Sequence, residues 1–329
     1  MAKPSTIKAF VGLSVFFILT PIAVLQLLIN SDFMLPADLK GSIVAIVTPM
    51  HSDGSIDLSS FEKLVDWHID EGTDAIVVVG TTGESATLSI EEHCDLVARC
   101  VEYAKDRIPV IAGTGSNSTE EAMYFTKSAK KCGANACLLV TPYYNRPSQE
   151  GLYRHFKAVA EGVDIAQILY NVPSRTACDM SLETVDRLAD IDNIIAIKDA
   201  TGDLSRGREL IKRCADRLAI VSGEDAINLA LMEEGARGAI SVTANVAPAL
   251  MSRACSLAIT GDIKSAEAID KKLLALHKLL FLESNPIPVK WALTRMGLIQ
   301  AGIRLPLLEL DEQYHIQVMK ALEKADISI

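Results

Sequence analysis

Residues 194–204 read IIAIKDATGDL. Four apolar residues, Ile194 to Ile197, run directly into Lys198 and Asp199, and a polar turn follows at Thr201-Gly202-Asp203. A continuous apolar run this short suits a strand buried on both faces. Helical sequence follows it over 205–214. The same unit recurs outward in both directions. Apolar, largely β-branched runs lie at 43–48, 75–79, 110–113, 136–140, 165–170, 194–197, 219–222 and 238–242. Amphipathic stretches of helical length lie between them, at 58–71, 89–105, 119–131, 149–160, 182–189, 205–214 and 226–234. Strict alternation of eight strands with helices predicts a closed parallel (β/α)8 TIM barrel, of the α/β class, over an open doubly wound sheet.

Local signals agree. Phe61, Leu64, Val65 and His68 fall on one stripe of the first helix, Ser89 and Glu92 have capping-box spacing, and Gly72, Gly133 and Gly235 close helices. After Val242 the strand signals stop. The rest reads as helix interrupted by Pro286, Pro288 and Pro306. The expected organisation is an apolar extension over 1–38, a barrel over 39–245 and a C-terminal helical extension over 246–329.

Composition narrows the function classes. The chain has 329 residues, 49% of them apolar, and a net charge of −10. That is ample for a large core. Acidic and basic residues are interspersed, so a nucleic-acid partner is not expected. The seven cysteines, Cys94, Cys100, Cys132, Cys137, Cys178, Cys214 and Cys255, include no C-x-x-C pair. They read as free thiols in a reducing, cytoplasmic compartment. The six histidines lack ligand spacing, and no metal site is expected. One segment fits this picture poorly. Residues 9–30 form an uncharged, apolar run behind Lys3 and Lys8, about long enough to span a bilayer. It reads either as an inner-membrane tether or as upstream sequence ahead of a true start at Met34. A signal peptide fits less well, because no small-x-small cleavage site follows.

In a barrel of this kind the chemistry sits at the C-terminal ends of the strands. The polar residues there are Thr81 and Thr82, Thr114 and Asn117, Tyr143 and Tyr144, Tyr170 with Asn171 and Arg175, Lys198, and Ser222-Gly223-Glu224. A lysine at the barrel mouth is partly desolvated, and desolvation favours the neutral, nucleophilic amine. Position alone leaves Lys198 open between a Schiff-base lysine and an ion pair with Asp199, Glu224 or Glu84. Tyr170 is open between a proton shuttle and a core tyrosine. Gly80-Thr81-Thr82-Gly83-Glu84 offers backbone N–H groups to a carboxylate and lacks the G-K-[ST] of a phosphate loop. Arg175 suits either a bidentate carboxylate clamp or a surface salt bridge.

Several segments resemble the dihydrodipicolinate synthase family of pyruvate aldolases, in the superfamily of N-acetylneuraminate lyase. They are GSIVAIVTPM at 41–50, GTTGESATL at 80–88, IPVIAGTG at 108–115, TPYYNRPSQEGLYRHF at 141–156, ILYNVPSRT at 168–176, IKDATGDL at 197–204, ISVTANV at 240–246 and NPIPVKWA at 285–292. G-T-T-G-E and Y-N-V-P mark the superfamily. Y-Y-N-R-P together with Y-N-V-P-S-R-T is more specific, since the sialic acid lyases lack that arginine.

The resemblance implies roles residue by residue. Lys198 matches the lysine that condenses with pyruvate, and Tyr170 the proton donor and acceptor. Thr81 and Tyr144 match a hydroxyl relay, with the tyrosine reaching a neighbouring subunit's site. Thr82 matches the holder of the pyruvate carboxylate, Ile240 a backbone position lining that pocket, and Arg175 the binder of the aldehyde's carboxylate. The implied reaction joins pyruvate to L-aspartate 4-semialdehyde in lysine and diaminopimelate synthesis, with no cofactor, in a homotetramer built as a dimer of dimers. Ser85, Ala86, His93, Asn117, Glu121 and Tyr143 match a site where lysine inhibits. Asn117 and Glu121 are expected one turn apart on one helix. Two departures stand out: Ile90, where some members carry a basic residue, and Asp199, where many carry glutamate. The alternatives are another pyruvate aldolase or lyase acting on a sugar acid, and a non-catalytic, membrane-tethered barrel.

Overall fold

A computed structural model describes residues 39–329. The apolar run at 9–30 and Met34 lie outside the described residues. Eight parallel strands close into a barrel in chain order: β1 Gly41–Ala45, β2 Ala75–Val78, β3 Val110–Gly113, β4 Ala136–Val140, β5 Ala166–Asn171, β6 Ile194–Asp199, β7 Ala219–Ser222 and β8 Gly238–Ser241. The seam pairs Gly41 with Gly238 and Ile43 with Ile240. The connecting helices are α1 Leu58–Asp70, α2 Ile90–Ala104, α3 Thr119–Cys132, α4 Gln149–Gly162, α5 Leu182–Leu188, α6 Leu204–Cys214 and α7 Asn228–Glu233. After β8 the chain continues as α8 Pro248–Ile259, α9 Ile263–Leu279, α10 Ile287–Arg295 and α11 Glu312–Lys324. Among the described residues no helix is long and apolar enough to cross a membrane.

The helix boundaries follow from side-chain chemistry. Asp57 caps α1 by accepting from the Ser60 N–H, and Ser89 and Glu92 form a complete capping box on α2. Gly133 ends α3 at φ 88°, a left-handed conformation that costs a glycine little. The stripe of Phe61, Leu64, Val65 and His68 is buried as a unit.

Two apolar layers fill the molecule. Ile43, Val77, Ile111, Leu138, Ile168, Ala196, Val221 and Ile240 pack inside the barrel. Val44, Val78, Leu139, Leu169 and Ile197 alternate with them and pack outward against helices through Leu96, Phe156 and Leu210. This is the two-residue period of a strand. On β6 it puts Ala196 inside and Ile197 outside, so Lys198 must turn inward.

Some strand ends differ from the sequence expectation. β1 begins earlier, at Gly41, and ends at Ala45, because the Val47 N–H leaves the ladder to donate to Asn245 Oδ1 at 3.0 Å. Asn245 Nδ2 in turn donates to the carbonyls of Ala45 at 2.8 Å and Val242 at 3.1 Å. One buried carboxamide therefore replaces ladder bonds where β1 and the segment after β8 diverge. β6 runs two residues past the apolar run, through Lys198 and Asp199, which pair with Tyr170 and Asn171. The segment before β8 is a 3-10 turn at Asp225–Ile227 followed by the short α7. There Asp225 Oδ2 accepts from the N–H groups of Val242 and Thr243 at 3.0 and 2.8 Å.

Replacing Asn245 with Ala should strand the Val47 N–H and the Ala45 carbonyl in the interior. Urea denaturation should then show a loss of about 1–3 kcal/mol, the cost of buried groups left unpaired.

Candidate active site

A cavity of about 450 Å3 opens at the C-terminal end of the barrel. Ala45, Val77 and Leu138 give it an apolar floor. Lys198, Tyr170, Thr81, Thr82, Arg175 and Glu224 supply its polar lining. The residues that sequence placed at the ends of β2, β5, β6 and β7 therefore meet in one space.

Lys198 is 6% exposed. Its Nζ lies 4.3 Å from the centre of the Tyr170 ring, because Tyr170 and Lys198 are register partners on β5 and β6. The carboxylates considered as its partners are engaged elsewhere or held back. Asp199 accepts from Arg206 Nε at 2.8 Å and from Thr201 Oγ1 at 2.5 Å. Glu84 pairs with Lys290. Glu224 lines the same cavity. Burial pushes its carboxyl above the ordinary glutamate range, and Asp225 pushes the same way, while the Ala226 backbone, His277 and Lys198 oppose. Among the described residues no carboxylate forms an ion pair with Lys198. Space for the lysine comes from Gly223: a Cβ there would stand 2.7 Å from Ala200 Cβ and 2.8 Å from Lys198 Cε.

The turn carrying Thr81 and Thr82 is fixed from below and from the side. Thr48 Oγ1 donates to the Gly83 carbonyl at 2.7 Å. Glu84 is buried in the left-handed region at φ 58°. It accepts from Lys290 Nζ on α10 and from the Arg304 backbone N–H at 3.2 Å. Burial pushes the Lys290 ammonium down, and Glu84 pulls it back up. Arg304 also donates to the Gly54 and Thr87 carbonyls and grips both oxygens of Glu92, at 2.7 and 2.6 Å. This two-pronged bond holds the Glu92 carboxyl at about 2, against the ordinary 4.5.

Arg175 lies within the single helical turn Pro173–Thr176, which Pro173 begins. Its Nη2 donates to the Asn285 carbonyl at 3.3 Å, at the cavity's edge. It forms no ion pair among the described residues, which sets aside the salt-bridge reading. Ile240 is buried inside the barrel beside β1 and does not line the cavity. Tyr144 also lies outside it, 91% exposed and at φ 71°.

The remaining polar candidates gather at the start of α3. Asn117 Nδ2 donates to the Tyr143 carbonyl at 3.2 Å, and Asn145 Nδ2 to the Asn117 carbonyl at 2.8 Å. Asn117 precedes the cap residue Ser118, so it does not share the helix with Glu121 as the sequence suggested. The Glu121 carboxylate accepts from Ser116 Oγ. His93 is buried, stacked on Phe125 at 4.2 Å, and its Nε2 is bonded to the Gly113 carbonyl at 2.9 Å. Burial pushes its imidazole down, with the Gly113 carbonyl and Glu121 opposing. Ser85 and Ala86 occupy a 3-10 turn ahead of α2. Sequence reasoning gave no role to Phe281, Ser284 and Asn285, which also line the cavity. The only local signal for them was the N-P-I-P sequence that starts α10.

Residues 38–325 match the model of the dihydrodipicolinate synthetase family. The chain belongs to this family. It is 58% identical over 289 residues to the 4-hydroxy-tetrahydrodipicolinate synthase of Thioalkalivibrio sulfidiphilus, covering 88% of this chain and 98% of that one. Among solved structures it is similar to the chloride-inhibited dihydrodipicolinate synthase of Acinetobacter baumannii complexed with pyruvate. That match has a TM-score of 0.87 and 57% identity, over 88% of this chain and 99% of that one. It is also similar to the lysine-bound enzyme of Cyanidioschyzon merolae, with a TM-score of 0.84 and 36% identity, over 88% and 99% of the two chains. Membership makes the chain a lyase-type enzyme.

Two outcomes follow from the site's construction. Gly223→Ala should displace the Lys198 stem and slow covalent capture of a carbonyl compound at that amine, read by single-turnover trapping. The Glu92–Arg304 pair should stabilise the fold above pH 4.5 and lose that contribution as pH falls towards 2, because the folded-state carboxyl is the depressed one. The stability gap between the parent and Arg304→Gln, from urea midpoints, should therefore narrow over that range.

Proposed function

We infer that this enzyme is a 4-hydroxy-tetrahydrodipicolinate synthase, which condenses pyruvate with L-aspartate 4-semialdehyde through a Schiff base on Lys198 in lysine and diaminopimelate synthesis. The observation that carries the reading is a buried lysine that forms no ion pair among the described residues, in one cavity with Tyr170, Thr81, Thr82 and Arg175. The names of the similar proteins support it.

The steps follow from the residues. The Lys198 amine adds to the pyruvate ketone, and loss of water leaves an iminium. That electron sink acidifies the methyl group, and loss of one of its protons gives the enamine. The enamine carbon attacks the aldehyde carbon, and the new alkoxide takes a proton. The amine of the joined product then attacks the imine carbon, closes the ring and releases Lys198. Tyr170 is placed beside Nζ to carry these protons, with Thr81 and Tyr144 completing the relay. Thr82 holds the pyruvate carboxylate in this reading, and Arg175 holds that of the aldehyde. Tyr144 is outside its own cavity, which suits a side chain donated to a second copy in a homotetramer made as a dimer of dimers. Ser85, Ala86, His93, Asn117, Glu121 and Tyr143 form the inhibitory lysine site in this reading. The lysine-bound relative supports it, and the Glu121 carboxylate suits an ammonium ligand. Activity unaffected by millimolar lysine would remove that part.

Borohydride reduction in the presence of pyruvate should add one pyruvate-derived group to Lys198 on peptide mapping, and none in Lys198→Ala. Label elsewhere, or none in the parent, would overturn the mechanism. Arg175→Ala should keep the imine yet lose roughly a hundredfold in kcat/KM for the aldehyde, the size of a lost charge-assisted contact. An unchanged value would favour a different electrophile.

A further inference from the structure

The Thr82 hydroxyl has one proton to give and two lone pairs to share. Thr82 is 2% exposed, so water does little for it. Asn285 Nδ2 donates to its Oγ1 at 3.0 Å. One lone pair is thereby taken, and the proton must point away from Asn285. Among the described residues the Thr82 hydroxyl donates to no acceptor, while Thr82 lines the cavity. A buried hydroxyl donor at a polar cavity is unfavourable unless an acceptor meets it, and a carboxylate oxygen is a natural one.

Asn285 is well placed to impose this. It is 5% exposed and sits just ahead of α10. Lys290, later on the same helix, is tied to Glu84 on the same turn as Thr82. The carboxamide and the turn are therefore held by two independent links. Asn285 Oδ1 is buried with no donor among the described residues, and the carboxamide meets Thr82 through its N–H group. The Asn285 backbone carbonyl receives Arg175 at 3.3 Å. One residue thus touches both prospective carboxylate anchors, through different atoms.

We propose that Asn285 is a positioning residue: its side-chain N–H turns the Thr82 hydroxyl into a fixed donor for the pyruvate carboxylate, and its backbone carbonyl sets Arg175 at the cavity's edge. The first half rests on the reading that Thr82 faces that carboxylate.

The side chain and the backbone carbonyl separate in a double-mutant cycle, because substitution removes only the former. Asn285→Ala should raise the pyruvate KM about tenfold, the worth of one charge-assisted hydrogen bond. The aldehyde KM should stay within about twofold, since the bond to Arg175 survives. In a Thr82→Val background the same substitution should change the pyruvate KM by less than about twofold. An equal rise in both backgrounds, or a parallel rise in the aldehyde KM, would mark a merely structural role and overturn the proposal. Asn285→Asp guards against a variant that fails to fold: it keeps the shape but has no N–H to give, so it too should raise the pyruvate KM. An unchanged value would show that Thr82 was donating to the carboxamide all along, and would overturn the proposal. Borohydride trapping with pyruvate on the parent enzyme separates the two levels. Absence of an imine would remove the pyruvate reading and this proposal together. An imine without coupling between Asn285 and Thr82 would remove only the proposal.

Discussion

Lys198 and Tyr170 face each other because β5 and β6 are in register at that rung, and because a strand gives alternate residues to opposite faces. Ala196 fills the barrel and Ile197 fills the layer under the helices. A slip of one residue would exchange these two and send the lysine into the outer apolar layer. Burial of Ile197 thus fixes the direction of Lys198 more firmly than any contact the lysine makes itself. The apolar floor beneath it and the glycine beside it follow from that direction.

The site also depends on sequence far beyond the barrel. The turn after β2 bends through a buried glutamate with a left-handed backbone, and neither feature is favourable alone. Lys290 neutralises the charge, and Arg304 adds its backbone N–H and clamps α2 through Glu92. The connection between α9 and α10 is therefore part of the cavity wall, and α10 is part of its support. A buried ion pair is weak evidence for stability, but here it ties the turn after β2 to α10.

The eight strands were legible because parallel strands buried on both faces announce themselves as unbroken apolar runs. Lys198, Tyr170 and the Gly80–Glu84 turn were legible because a barrel collects its chemistry at strand ends. What escaped was long-range pairing of polar groups. Nothing near Val47 shows that its N–H will meet Asn245, which shortens β1. Nothing near Glu84 says that its partner is Lys290 rather than Lys198. Asn285 carried no local mark beyond the N-P-I-P sequence that it begins, since it lies beside Thr82 only after the C-terminal helices pack. Asn117 was placed on a helix by spacing, but Ser118 competes better for the cap.

The order of these pieces along the chain has a consequence for synthesis. A growing chain holds every strand of the barrel once Ser241 has been made, and its apolar layers can begin to assemble. The turn bearing Thr81 and Thr82 must still wait for Asn285, Lys290 and Arg304, which emerge near the end. Until then Glu84 lacks the lysine that it meets in the folded protein. A nascent barrel therefore holds Lys198 and Tyr170 before the Thr81–Thr82 turn has its supports, and the cavity is completed by the C-terminal segment.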